Sequence, residues 1–128
     1  MKRILIVEDE YIIAEDLKLI LRKFGYPDVS VARSANKAVE IIEHEKTDLA
    51  LIDIKLEDGM TGLELSEKAQ KEYNIPFIFI SAFSEKEIVD RAMKTNPVAY
   101  LLKPIQDNEL ENYIKDVFGG KKTNLFES

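Results

Sequence analysis

The sequence predicts an α/β fold: a parallel five-stranded sheet with helices packed on both of its faces. Three observations lead there. Five short apolar runs alternate strictly with five amphipathic segments, the pattern of repeated strand–helix units with right-handed crossovers. Four of the runs are almost continuously aliphatic or aromatic, as expected of strands buried on both faces. The chain has 128 residues, 45% hydrophobic and 33% charged, with no shift in composition along its length, which suits one soluble domain with a sizeable core.

The elements follow in order. RILIVE (residues 3–8) reads as the first strand, and Ile13, Leu17, Ile20 and Phe24 then form one helical stripe that Gly25 and Pro27 end. DVSVA (28–32) alternates, with Val29 and Val31 flanking Ser30, and reads as an edge strand. Ser34 is placed to cap a second helix carrying Ala38, Val39, Ile41 and Ile42. DLALID (48–53) is the third strand, and Thr61 with Glu64 forms a capping box that opens the third helix. PFIFIS (76–81) is the fourth strand, and Ser84 with Glu87 predicts a second capping box before the fourth helix. VAYLL (98–102) is the fifth, followed by a helix whose buried stripe is Leu110, Ile114, Val117 and Phe118. The folded unit is read as residues 1–118, and GGKKTNLFES (119–128) as a flexible tail or linker.

Composition excludes several classes of function. A net charge of −6 argues against a general nucleic-acid binder, because phosphate contacts need a basic surface. No apolar run reaches membrane-spanning length, and MKRILIVEDE turns acidic too early for a signal peptide. A cytoplasmic protein is expected. Without cysteine there is neither a disulfide nor a thiolate metal site, and the lone His44 lies in a helical pattern. There is no GxxxxGK[ST] and no GxGxxG after the first strand, so nucleotide binding has little support.

The chemistry gathers at the strand ends. LALIDIKL (49–56) interrupts an apolar strand with one carboxylate, Asp53, and burying an unpaired carboxylate is costly. A helix cap would be the bland role for it, but the next helix signal begins at Thr61, eight residues on, with its own cap. Ligands of open α/β sheets bind outside the carboxyl ends of the strands. There the first strand ends in Glu8 and Asp9, the third in Asp53, the fourth in Ser81, and the fifth leads into Lys103 and Pro104. Each residue alone is more often structural than functional; four strand ends together point to one site. Three carboxylates against one ammonium leave two negative charges, which one Mg²⁺ would neutralise with hard oxygen ligands. Without metal, like-charge repulsion would raise at least one carboxylate pKa.

These residues carry a family resemblance. ILIVEDE, LIDIKL with GMTGLEL, FISAFS and YLLKPI stand in the order and near the spacing of the receiver domain of bacterial and archaeal two-component response regulators. The sequence resembles that family over about residues 2–118. The resemblance implies a doubly wound, flavodoxin-like sheet of order 2-1-3-4-5. It implies that Asp53 accepts a phosphoryl group from a sensor histidine kinase, with Mg²⁺ held by Glu8, Asp9, Asp53 and the backbone carbonyl of Lys55. Ser81 matches the family's switch hydroxyl, Tyr100 its switch aromatic, and Lys103 the lysine that contacts phosphoryl oxygens; Pro104 matches a structural proline after a cis peptide bond.

The implied product is a phosphorylation-driven switch rather than an enzyme with a free substrate. A downstream protein or a second copy would dock on the fourth helix, fifth strand and fifth helix, the chain being a monomer or a phosphorylation-dependent dimer. On phosphorylation, Ser81 would move and Tyr100 would turn inward. Lys55 and Phe83 would shield the phosphoryl group and slow its hydrolysis. No output domain follows residue 118 in this sequence, which reads as a single-domain regulator or as a receiver cut from a longer chain.

Some positions depart from the family pattern. Glu8 stands for the commoner Asp, Ser81 for Thr and Ile105 for Phe, and the loop from Ile54 to Gly62 lacks a frequent proline and looks one residue longer. Two rival readings differ in observable ways. A phosphohydrolase working through an aspartyl phosphate resembles Asp-x-Asp, but Lys55 occupies the second position. A degenerate receiver would lack the acceptor or the lysine, and both are present.

Overall fold

A computed structural model describes residues 2–56 and 61–119. The strands are β1 (Ile4–Val7), β2 (Val29–Ala32), β3 (Leu49–Ile52), β4 (Phe77–Ser81) and β5 (Ala99–Leu102). They alternate with helices α1 (Tyr11–Lys23), α2 (Ala35–His44), α3 (Gly62–Lys68), α4 (Lys86–Met93) and α5 (Asp107–Gly119). A π-helical turn, Ala69–Tyr73, prolongs α3, and Asn74 ends it in the left-handed conformation. The sheet order is β2-β1-β3-β4-β5, all neighbours parallel. The implied order is therefore found, and β2 is the edge strand that its alternation predicts.

Sheet pleat divides the core in two. Ile4, Ile6, Leu49, Leu51, Ile78, Ile80 and Leu101 face α1 and α5, which contribute Leu17, Leu21, Leu110 and Ile114. Leu5, Val7, Ala50, Ile52, Phe77 and Phe79 face the other way, against Ala35, Ala38, Leu65 and Ala92 of α2, α3 and α4. Two helices thus cover one face and three the other. Both faces of β1, β3 and β4 are buried, which is why these strands read as unbroken apolar runs.

Helix ends agree with the sequence signals with one exception. Ser34 accepts from the Lys37 N–H, and Thr61 with Glu64 forms the reciprocal capping box. Gly25 adopts φ +94° and closes α1, a conformation that a side chain would resist. The box predicted at Ser84 and Glu87 does not form: α4 begins at Lys86, its N-cap is Glu85, and no side chain caps it. Starting there puts Ser84 one residue before the cap, out of register for an N-cap bond. Residues 57–60 of the loop expected to be one residue longer lie outside the described residues, as do residues 120–128 of the expected tail.

Candidate functional site

Four strand ends deliver the site. The ladder continues one residue beyond β1 and β3: the Glu8 N–H donates to the Ala32 carbonyl and the Asp53 N–H to the Val7 carbonyl, both at 3.0 Å. Glu8 and Asp53 are thereby fixed just past the last paired residues. Glu8 is 1% exposed and Asp53 7%, so both carboxylates are held out of bulk water and need partners. Each has two. Glu8 accepts from the Glu10 N–H at 3.1 Å and from Lys103 Nζ at 3.0 Å. Asp53 accepts from the Lys55 N–H at 3.1 Å and from Lys103 Nζ at 3.1 Å. Lys103, carried by the turn after β5, therefore bridges two strands' carboxylates with one ammonium; the Lys103–Pro104 bond is cis, as the resemblance implied.

Electrostatics follow from that crowding. Burial, and then the Asp53 charge, push the Glu8 carboxyl up to about 7, against the opposing pull of the Glu10 N–H and Lys103. The charge count predicts a raised carboxylate through repulsion; burial is the larger cause. Lys103 is pulled two ways. Burial disfavours its ammonium, but the contacts with Glu8 and Asp53 outweigh burial and hold its pKa above the ordinary lysine value.

Asp9 completes the acidic group. Glu8, Asp9 and Asp53 each present a carboxylate oxygen, all within 4.8 Å of one another. Hard oxygen donors converging on one point suit a hard divalent cation that keeps some of its water, so the donor set fits Mg²⁺. Asp9, Glu10, Asp53, Lys55, Ala82, Phe83 and Lys103 line a cleft of about 270 Å³ above this group. A larger hollow of about 510 Å³ between α1 and the turn after β5 shares only Lys103 with it and is walled by Ile12, Ile13, Leu17, Ile20 and Ile105.

Ser81 and Tyr100 sit beside the cleft and meet through one residue, Phe83. The Phe83 N–H donates to Ser81 Oγ at 3.0 Å, and Tyr100 donates its hydroxyl to the Phe83 carbonyl at 2.6 Å. The Tyr100 ring packs on Phe79, centroids 6.0 Å apart, and burial pushes its hydroxyl pKa up. Tyr100 is expected to turn inward on phosphorylation; in this structure its half-buried hydroxyl holds the loop after β4 through the Phe83 carbonyl.

All the residues singled out in the sequence, Glu8, Asp9, Asp53, Lys55, Ser81, Tyr100 and Lys103, therefore come to one edge of the sheet. Two residues were missed. Gly62 donates its N–H to the Ile54 carbonyl, and a Cβ there would stand 2.2 Å from the Asp53 carbonyl oxygen and 2.7 Å from Ile54 Cα. Only a residue without a side chain lets α3 approach the Asp53 turn so closely. Arg33, the residue after β2, bonds the Asp9 carbonyl; the strand-end rule, applied to β2 as to the others, finds it.

Comparison with known proteins agrees with this fold. The profile of the response regulator receiver domain matches residues 4–115. The transcriptional regulatory protein PdtaR of Mycobacterium tuberculosis is 35% identical over 109 residues, 85% of this chain and 53% of that protein. The chain thus spans about half the length of this curated relative. Among solved structures, a CheY-like response regulator receiver domain protein from Methanospirillum hungatei is 36% identical with a TM-score of 0.82, covering 91% of this chain and 92% of the other. The signal receiver domain of a modulated diguanylate cyclase from Desulfovibrio desulfuricans is 31% identical with a TM-score of 0.86, covering 94% and 95%.

Proposed function

The chain belongs to the response regulator receiver domain family, and we propose that it is a phosphoacceptor switch in which Asp53 takes a phosphoryl group from a histidine kinase. One observation carries the reading: Lys103 bridges Glu8 and Asp53 beside Asp9, at the mouth of a cleft. This combines an acceptor carboxylate, a cation for the incoming phosphoryl oxygens and a donor set for Mg²⁺ within one hydrogen-bonded group.

Each residue has a defined task. Asp53 Oδ attacks phosphorus as the phosphohistidine P–N bond breaks, and the imidazole leaves as a neutral ring after taking up a proton. Glu8, Asp9, Asp53 and the Lys55 carbonyl would hold Mg²⁺, which would supply neutralisation of charge on the phosphoryl oxygens. Lys103 exchanges its carboxylate partners for a phosphoryl oxygen, a charge-assisted contact. Ser81 already accepts from Phe83, which leaves its O–H to donate to a second phosphoryl oxygen. Moving Ser81 disturbs the Phe83 peptide, and with it the Tyr100 contact, so the change reaches α4 and β5.

The output surface follows from that route. Met93 is 49% exposed and Leu102 46%, and these apolar side chains of α4 and β5 suit a protein partner or a second copy docking on the α4–β5–α5 face. The folded unit of this switch runs from β1 through α5, and it acts in the cytoplasm without membrane or nucleic-acid contact of its own. Among the described residues no helix is long and apolar enough to cross a membrane.

Intact-mass measurement tests the reading. With acetyl phosphate and Mg²⁺ the chain is expected to gain one phosphoryl group, and Asp53→Asn to gain none. Many turnovers of phosphate release from a small monoester, with no covalent form, would favour a phosphohydrolase instead.

A further inference from the structure

The strand left out of the site is β2, and Arg33 follows it directly. Its Nη2 donates a 2.8 Å hydrogen bond to the main-chain carbonyl of Asp9. Its guanidinium also lies 5.8 Å from the centre of the Tyr11 ring, within the range of a cation–π contact. One side chain thus touches both Asp9 and Tyr11 and straps the turn between β1 and α1 to the end of β2.

Asp9 has few other supports. Glu8 and Asp53 are each fixed by a backbone N–H and by Lys103. The Asp9 carboxylate makes no hydrogen bond or ion pair among the described residues, and the residue is only half-buried. Its direction is therefore set by its own backbone, and the carbonyl of that backbone is held by Arg33. We propose that Arg33 is a positioning residue that aims the Asp9 carboxylate at the divalent cation. The proposal rests on the reading of the cluster as a metal-dependent site.

Two effects of Arg33 oppose each other, and their signs separate them. As a nearby positive charge, Arg33 repels the cation, so a variant without it would bind metal equally or more tightly. As a strap, it keeps Asp9 aimed, so the same variant would bind more weakly. Solvent screens an exposed guanidinium, and partners that orient metal ligands typically matter 10- to 100-fold. The strap should win. Mg²⁺ demands near-ideal octahedral geometry whereas Ca²⁺ tolerates irregular ligands, so a misaimed Asp9 should harm Mg²⁺ binding more than Ca²⁺ binding.

The test is a calorimetric titration of Mg²⁺ alone, and separately Ca²⁺ alone, into the whole chain as wild type, Arg33→Ala, Arg33→Lys and Asp9→Asn. Arg33→Ala is expected to bind Mg²⁺ about tenfold more weakly, the low end for an orienting partner because Arg33 is exposed, with a smaller loss for Ca²⁺. Arg33→Lys keeps the charge without the planar fork and should also weaken Mg²⁺ binding, to a lesser extent; it decides the matter should Arg33→Ala not fold. Unchanged or tighter Mg²⁺ binding in these variants, or equal losses for both ions, overturns the proposal while leaving the metal site standing if Asp9→Asn still loses affinity. A wild type that binds no Mg²⁺ overturns both.

Discussion

Replacing Glu8 by Gln should change how the metal-free protein responds to pH. Glu8 is buried at 1% exposure beside Asp53, and its carboxyl is pushed up from 4.5 to about 7. A carboxyl whose folded-state pKa is raised is favoured in its protonated form by folding. Its contribution to stability is full below the unfolded value of 4.5 and is lost as pH rises through about 7. At 1.36 kcal/mol per pKa unit, the loss between about pH 5 and pH 8 is roughly 2–3 kcal/mol. Gln has the shape of the protonated acid and does not titrate, so Glu8→Gln should lack this slope. Urea unfolding at a series of pH values in chelator should therefore show the variant gaining on wild type by about 2–3 kcal/mol as pH rises. With saturating Mg²⁺ the wild type should recover, because metal binds the ionised carboxylate. Parallel pH profiles for the two proteins in chelator would refute the argument that Glu8 is the strained member of the cluster.

Three further outcomes are expected. Gly62→Ala would drive a Cβ to 2.2 Å from the Asp53 carbonyl oxygen, so it should lower stability by about 1–3 kcal/mol, as overpacking does; an unchanged urea midpoint would contradict the close approach of α3. Tyr100→Phe removes the hydroxyl on the Phe83 carbonyl, a hydrogen bond of about 1 kcal/mol. Amide exchange at residues 82–85 should quicken severalfold, and unchanged exchange would mean that the tie does not hold the loop. Lys103→Met removes the cation that lowers the Glu8 pKa, so carboxyl carbon NMR should find Glu8 titrating above about 7; a pKa that falls or stays would break the proposed bridge.

The sequence makes the architecture readable where burial leaves no choice. β1, β3 and β4 are covered on both faces, so nearly every residue in them had to be apolar, whereas β2, half-exposed at the edge, shows alternation instead. Asp53 stands out because it breaks such a run without serving the helix that follows. The end of α4 that reads as a capping box fails for a different reason: Ser84 and Glu87 have the right spacing, but spacing does not say which residue the chain uses as N-cap, and here it is Glu85. Gly62 was hidden because its role is a close approach to the backbone of Asp53 and Ile54, which leaves no local pattern, whereas Arg33 is found once the strand-end rule is carried to β2. The weight of burial in the Glu8 pKa was equally invisible, since a row of three acids shows repulsion but not enclosure.

If Asp53 is the acceptor in a Mg²⁺-dependent site, position mapping will find the phosphoryl group there. Incubation with a small phosphodonor and Mg²⁺, followed by borohydride reduction, converts an aspartyl phosphate to homoserine, and peptide mass spectrometry reads where. Homoserine is expected at position 53 alone, dependent on Mg²⁺ and absent in chelator. Homoserine at position 9 or elsewhere, or modification that persists without metal, would contradict it.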